Sequence, residues 1–153
     1  MKNPVGLALR SPFTVRRSHI TVLFMLLLCL VSACRKDEAC KLRHGEGGVI
    51  DMSLPEFYDL SHVGGYMRIN RGYRGIYIYR NTLTEFVACE CACPSGDDGV
   101  LSPADEYGGL VLRCPSCGAT FSVLDGMPLE GSTTSCPLYQ YDTYLENGML
   151  SVY

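Results

Sequence analysis

The chain has 153 residues and a formal net charge of −3. That length holds one domain rather than two once the amino-terminal segment is set aside. An acidic balance without any long block of like charge argues against a nucleic-acid partner, which needs a basic face.

Residues 1–33 read as a signal segment rather than as fold. Lys2, Arg10, Arg16 and Arg17 form a basic leader with no acidic residue, and Ile20–Leu30 is apolar apart from Thr21. A run of that length is short of the roughly 20 residues a bilayer span requires and suits a signal-peptide core. It closes on Val31-Ser32-Ala33-Cys34. This tetrapeptide resembles a bacterial lipobox. The resemblance implies cleavage before Cys34, acylation of that cysteine and lipid anchoring in the cell envelope, periplasmic or at the outer surface. Cleavage removes four basic residues, leaving nine against sixteen acidic ones, a net charge of −7. Arg35, Lys36, Asp37 and Glu38 follow, and they resemble the charged export tether of Bacteroidetes-type lipoproteins; a solvated linker is the other reading. The polar stretch 34–48 as a whole is read as a tether.

Residues 49–153 are read as the domain. Val49–Leu54 is a strand closed by Pro55, and Glu56–Ser61 is a short connection. Gly64-Gly65 marks a turn before the alternating strand Tyr66–Ile69. Arg71–Arg74 holds another glycine turn, and Gly75–Arg80 alternates again, rich in the β-branched and aromatic residues that favour strands. Leu83–Cys89 is the next strand. Leu110–Leu112 and Ala119–Leu124 follow, with a turn at Asp125-Gly126 and a Ser/Thr-rich loop at Gly131–Cys136. Leu138–Leu145 and Met149–Tyr153 flank Glu146-Asn147-Gly148, and Asn-Gly between alternating runs is a strong hairpin signal. No window after residue 34 has a helical period. Short strands at regular spacing with frequent turns indicate an all-β sandwich or barrel.

Five of the nine cysteines fall in two short loops. The first reads Cys89-Glu90-Cys91-Ala92-Cys93-Pro94-Ser95-Gly96, and the second Cys114-Pro115-Ser116-Cys117-Gly118. Thiolates gathered at the ends of hairpins are what a metal, an iron–sulfur cluster or a disulfide knot requires. The run E-F-V-A-x-E-x-A-C-P from Glu85, the stretch C-P-S-C-G-A-T-F-S-V-L-D-G from Cys114, and the later P-L-x-x-Y with its closing hairpin resemble the Rieske iron–sulfur domain. The likeness spans Val49 to Tyr153 and is most specific over Glu85–Gly126. It implies a small antiparallel β-sandwich or barrel with two cysteine-bearing hairpin loops, a covering loop at Ser132–Pro137, a bound 2Fe–2S cluster and electron transfer to a redox partner.

In that family the loops read C-x-H and C-x-x-H, with two Cys on one iron and two His on the other. Here Ser95 and Cys117 stand at the histidine positions. The only histidines are His19, His44 and His62, the last two read as solvated. Three chemistries stay open. Cys93, Cys114 and Cys117, with Cys91 as fourth ligand and Cys136 as the alternative, could hold a 2Fe–2S cluster. Its potential would move toward about −400 mV, away from the roughly −150 to +300 mV of centres with two histidines. The same thiolates could hold a tetrahedral zinc ion. Or the fold persists without metal, its loops stapled by Cys93–Cys114 or Cys91–Cys117 disulfides in an oxidising compartment. With Cys34 acylated, seven cysteines remain after residue 34, so at least one is unpaired or otherwise used. An electron carrier or binding protein is expected, not a self-sufficient enzyme. Asp97, Asp98, Asp105 and Glu106 form an acidic patch beside the loops, expected to pair with Arg68, Arg71, Arg74 and Arg80.

Overall fold

A computed structural model describes residues 40–96 and 98–153. The expected signal segment, the acylated Cys34, tether residues 35–39 and Asp97 lie outside the described residues. Among the described residues no helix is long and apolar enough to cross a membrane.

Among the described residues ten short strands form three antiparallel sheets. β1 (Gly48–Asp51), β10 (Met149–Val152) and β9 (Thr143–Glu146) make one, in that order. β2 (Tyr66–Ile69), β3 (Ile76–Arg80), β4 (Phe86–Glu90) and β8 (Gln140–Tyr141) make the second. β5 (Ser102–Pro103), β6 (Val111–Arg113) and β7 (Thr120–Ser122) make the third. The all-β class expected from the strand pattern is therefore what the chain adopts.

The second sheet separates two cores, and β3 shows how. Alternation sends its odd and even residues to opposite faces. Ile76 and Ile78 pack with Leu60, Phe86, Tyr141 and Leu150 toward the β1–β10–β9 sheet. Tyr77 and Tyr79 pack with Cys91, Leu101, Leu112 and Phe121 toward the β5–β6–β7 sheet. Tyr77 crosses the second core to donate its hydroxyl to the Gly109 carbonyl at 2.8 Å, tying β3 to the turn before β6. The thiols therefore sit over a strand buried on both faces.

Three local expectations change. The short connection expected at Glu56–Ser61 is a 3₁₀ helix over Pro55–Ser61, with Pro55 in its first turn and Leu60 as its buried residue. Ser102–Pro103 forms a short edge strand that a two-residue segment gives no periodicity to announce. The arginines mostly serve carbonyls: Arg68 reaches Arg74, Arg71 reaches Gly47, and Arg80 reaches Leu60, Ser61, Thr82 and Leu83. Among the described residues, Arg74 of those four pairs with the expected patch, at 3.0 Å from Asp98. Glu106 pairs instead with Arg113, at 2.8 Å.

Within the stretch read as tether, residues 40–47 lie against the domain. Lys41 N–H donates to the Pro94 carbonyl, Gly45 N–H to the Tyr141 hydroxyl, and Cys40 is disulfide-bonded to Cys136.

Candidate metal centre

The strand β4 runs out past Glu90 into the first cysteine loop, and the β6–β7 hairpin carries the second. Glu90 is 1% exposed and is held as an acceptor by Tyr73 N–H and Arg74 N–H, both at 2.8 Å, and by the Tyr141 hydroxyl at 2.7 Å. That carboxylate anchors the base of the first loop to the β2–β3 turn. At the loop's end, Cys93 N–H donates to Gly99 O, which folds the loop back on itself. The second loop closes through Cys114 N–H to Ala119 O and Gly118 N–H to Cys114 O, at 2.8 and 2.9 Å. Gly118 sits at φ 76°, in the left-handed region where glycine alone carries no Cβ penalty.

These turns bring Cys93, Cys114 and Cys117 together, their sulfurs all within 4.8 Å of one another. Cys93 Sγ and Cys117 Sγ are 3.6 Å apart. Cys93 and Cys114 are buried and Cys117 is partly exposed. Ser95 joins them, its Oγ 3.0 Å from Cys93 Sγ and 3.6 Å from Cys117 Sγ. Gly99 backs the site: a Cβ there would lie 2.6 Å from Cys114 Sγ and 2.8 Å from Ser116 Oγ, so any side chain would displace one of them. The Ser132–Pro137 loop covers the second tip, with the Thr133 hydroxyl donating to Cys117 O at 3.1 Å.

Cys91 is not in the group. Residues 89, 91 and 93 alternate onto one face of the chain and all line the same core. But two residues of extended chain span about 6.6 Å, and that step leaves Cys91 down in the core beside Tyr77, whose backbone hydrogen-bonds its sulfur. The shared face was legible in the sequence; the height along it was not. Cys136 is not a ligand either, because its sulfur is bonded to Cys40. Cys89 turns to Val123 O and the Gln140 amide, at 3.6 and 3.8 Å. The expected staples Cys93–Cys114 and Cys91–Cys117 are not formed; none of these four cysteines is in a disulfide.

The electrostatics divide the thiols. Burial pushes Cys89, Cys91 and Cys93 up to about 12, since the charged form loses its hydration. At Cys117 burial works the same way, but the Ala119 amide, the Ser95 hydroxyl and the Cys114 and Cys93 thiols outweigh it and bring the value down to about 7.

The donor set fits a thiolate-bound metal and does not fit a cluster on two cysteines and two histidines. His44 stacks on Tyr139 with ring centroids 4.0 Å apart, and His62 is exposed after the 3₁₀ helix. Asp98 is occupied by Arg74 and, at 3.7 Å, by Arg43.

No protein-family model and no curated protein matches the chain. Solved structures do. The ferredoxin of carbazole 1,9a-dioxygenase from Nocardioides aromaticivorans IC177 aligns at a TM-score of 0.47 and 17% identity, covering 69% of this chain and 93% of that one. A chain from the complex of reduced oxygenase and oxidized ferredoxin in carbazole 1,9a-dioxygenase aligns at 0.43 and 26% identity, over 70% and 90%. The Sphingomonas yanoikuyae B1 ferredoxin aligns at 0.42 and 18% identity, over 61% and 91%.

Proposed function

We propose that the domain is a divergent Rieske-like module holding a thiolate-ligated 2Fe–2S cluster, which passes electrons to a redox partner protein. The observation that carries this reading is the convergence of Cys93, Cys114 and Cys117 within 4.8 Å at two adjoining hairpin tips. When bound, the cluster would supply one-electron transfer. The chain's own groups do the rest. Cys93 and Cys114 offer donors from the dry side, and partly exposed Cys117 gives the centre an outward edge for a partner. The Ser95 and Ala119 amides hydrogen-bond the Cys93 and Cys117 sulfurs and favour their thiolate forms.

Anchoring through acylated Cys34 belongs to the same proposal. The Cys40–Cys136 disulfide supports it, because such bonds persist in oxidising compartments outside the cytoplasm. Globomycin-sensitive processing and fractionation of the full chain test that part.

A second reading has its own support. Sulfurs bound about 2.3 Å from one tetrahedral zinc ion lie about 3.8 Å apart, and the 3.6 Å between Cys93 and Cys117 is close to that. Iron, zinc and sulfide analysis of anaerobically purified protein, with its visible spectrum, separates the two. The cluster reading expects brown protein with two irons and two sulfides per chain. Colourless, iron-free protein with stoichiometric zinc replaces it by the second reading. Material that takes up neither metal, even after reconstitution, ends both.

A further inference from the structure

We propose that the fourth donor at this centre is the hydroxyl oxygen of Ser95. This rests on the metal-binding reading above and asks which atom completes it.

A 2Fe–2S cluster takes four terminal ligands and a structural zinc ion takes four in all, so three thiolates leave one position to fill in either case. The other nearby sulfurs are committed elsewhere: Cys136 to the disulfide with Cys40, Cys91 to the core beside Tyr77, and Cys89 to the Val123 carbonyl. Ser95 is already inside the group. Its oxygen stands 3.0 Å from Cys93 Sγ and 3.6 Å from Cys117 Sγ. An oxygen at about 2.0 Å and a sulfur at about 2.3 Å from one tetrahedral metal are about 3.5 Å apart. The observed pair of distances brackets that value, so the hydroxyl can ligate with only a small shift.

The local backbone explains the placement. Ser95 lies two residues beyond Cys93, and its own amide hydrogen-bonds the Cys93 sulfur. That contact turns the chain back over the thiol and aims the Ser95 side chain at the second tip. Gly96, at φ 90°, lets the loop continue from this tight bend. On ligation the O–H bond breaks, an oxygen–metal bond forms, and the proton leaves to solvent past the half-buried side of Ser95, as metal binding to protic ligands generally releases protons. Because oxygen is a harder donor than thiolate, a centre with one such ligand is distinguishable by spectroscopy from an all-thiolate one.

The test uses the full chain, purified anaerobically with its resident metal. Wild type, Ser95→Ala, Ser95→Cys and Cys91→Ser are compared for metal content, visible absorption, far-UV circular dichroism and metal release to EDTA. The expected result is at least tenfold faster release from S95A. S95C regains wild-type retention with stronger sulfur-to-metal absorption, and C91S matches wild type in every respect. S95A with wild-type spectrum and release overturns the assignment, as does folded C91S that has lost its metal. Should S95A fail to fold, S95C decides: an unchanged spectrum overturns the assignment and added charge-transfer intensity supports it. Metal-free wild type sinks the underlying reading and this one with it, whereas metal-bearing wild type indifferent to S95A sinks this one alone.

Discussion

Cys40 and Cys136 are joined by a disulfide across 96 residues of sequence, with their Cα atoms 5.4 Å apart. The bond ties the segment entering the domain to the loop that covers Cys117. Lys41 N–H, one residue on, donates to the carbonyl of Pro94 in the first cysteine loop, so the same segment braces both tips.

A cross-link over so long a loop constrains the unfolded chain strongly; the chain-entropy model gives about 4.7 kcal/mol near 100 residues, and about 2–4 kcal/mol is usual. The double variant Cys40→Ser/Cys136→Ser is expected to lose about 2–4 kcal/mol of stability. Urea titration of the metal-free protein measures it. A change below about 0.5 kcal/mol would show that the bond does not form in solution.

The metal-free thiols should differ in reactivity. Cys117 is the most accessible of the five reduced cysteines and ionises near pH 7. Above that pH its thiolate predominates, so alkylation by iodoacetamide should rise through pH 7 and stop at one adduct. Cys89, Cys91 and Cys93, raised to about 12 and buried, should stay unmodified while the protein is folded. Peptide mass mapping locates the adduct, and loading the metal should protect it. Adducts spread evenly over the native thiols would contradict the geometry.

Gly99→Ala should separate metal binding from folding. The new Cβ would stand 2.6 Å from Cys114 Sγ. The Cys114 side chain can shift to admit it, but the sulfur then moves out of register with Cys93 and Cys117. Metal retention is expected to fall more than tenfold, while far-UV circular dichroism stays unchanged. Equal retention by G99A and wild type would mean that Cys114 is not a ligand.

Glu90→Gln should do the reverse. The buried carboxylate accepts from two amides and the Tyr141 hydroxyl. An amide of the same shape keeps one acceptor oxygen and turns an NH2 toward at least one of those donors, and losing such a hydrogen bond costs about 1.5–3 kcal/mol. Thermal unfolding should show that loss, with metal stoichiometry retained in the folded fraction. A cost below about 1 kcal/mol would place the acid's weight elsewhere.

Much of the local structure was legible before any coordinates. Tyr66–Ile69 is strand β2 to the residue, and the Asn147-Gly148 turn joins β9 to β10 with both residues at positive φ, 50° and 78°. Those features depend on a few consecutive residues. The 3₁₀ helix at Pro55–Ser61 and the edge strand at Ser102–Pro103 escaped because neither is long enough to establish a period. The covering loop was placed correctly at Ser132–Pro137, but its cysteine was offered as a ligand. Nothing in the sequence near Cys136 reveals a partner 96 residues away.

By itself the sequence determined an antiparallel β chain with its thiols at two loops, and the alternation of an extended segment put Cys91 on the same side as Cys93. Alternation is a local rule, and side is all it encodes. Tertiary structure decided which sulfurs meet: Cys93 reaches the tip where Cys114 and Cys117 arrive, Cys91 stops a pleat short in the core, and Ser95 closes the gap. That choice depends on how two hairpins from different sheets dock across Tyr77, an arrangement fixed by long-range packing that no short window of residues contains.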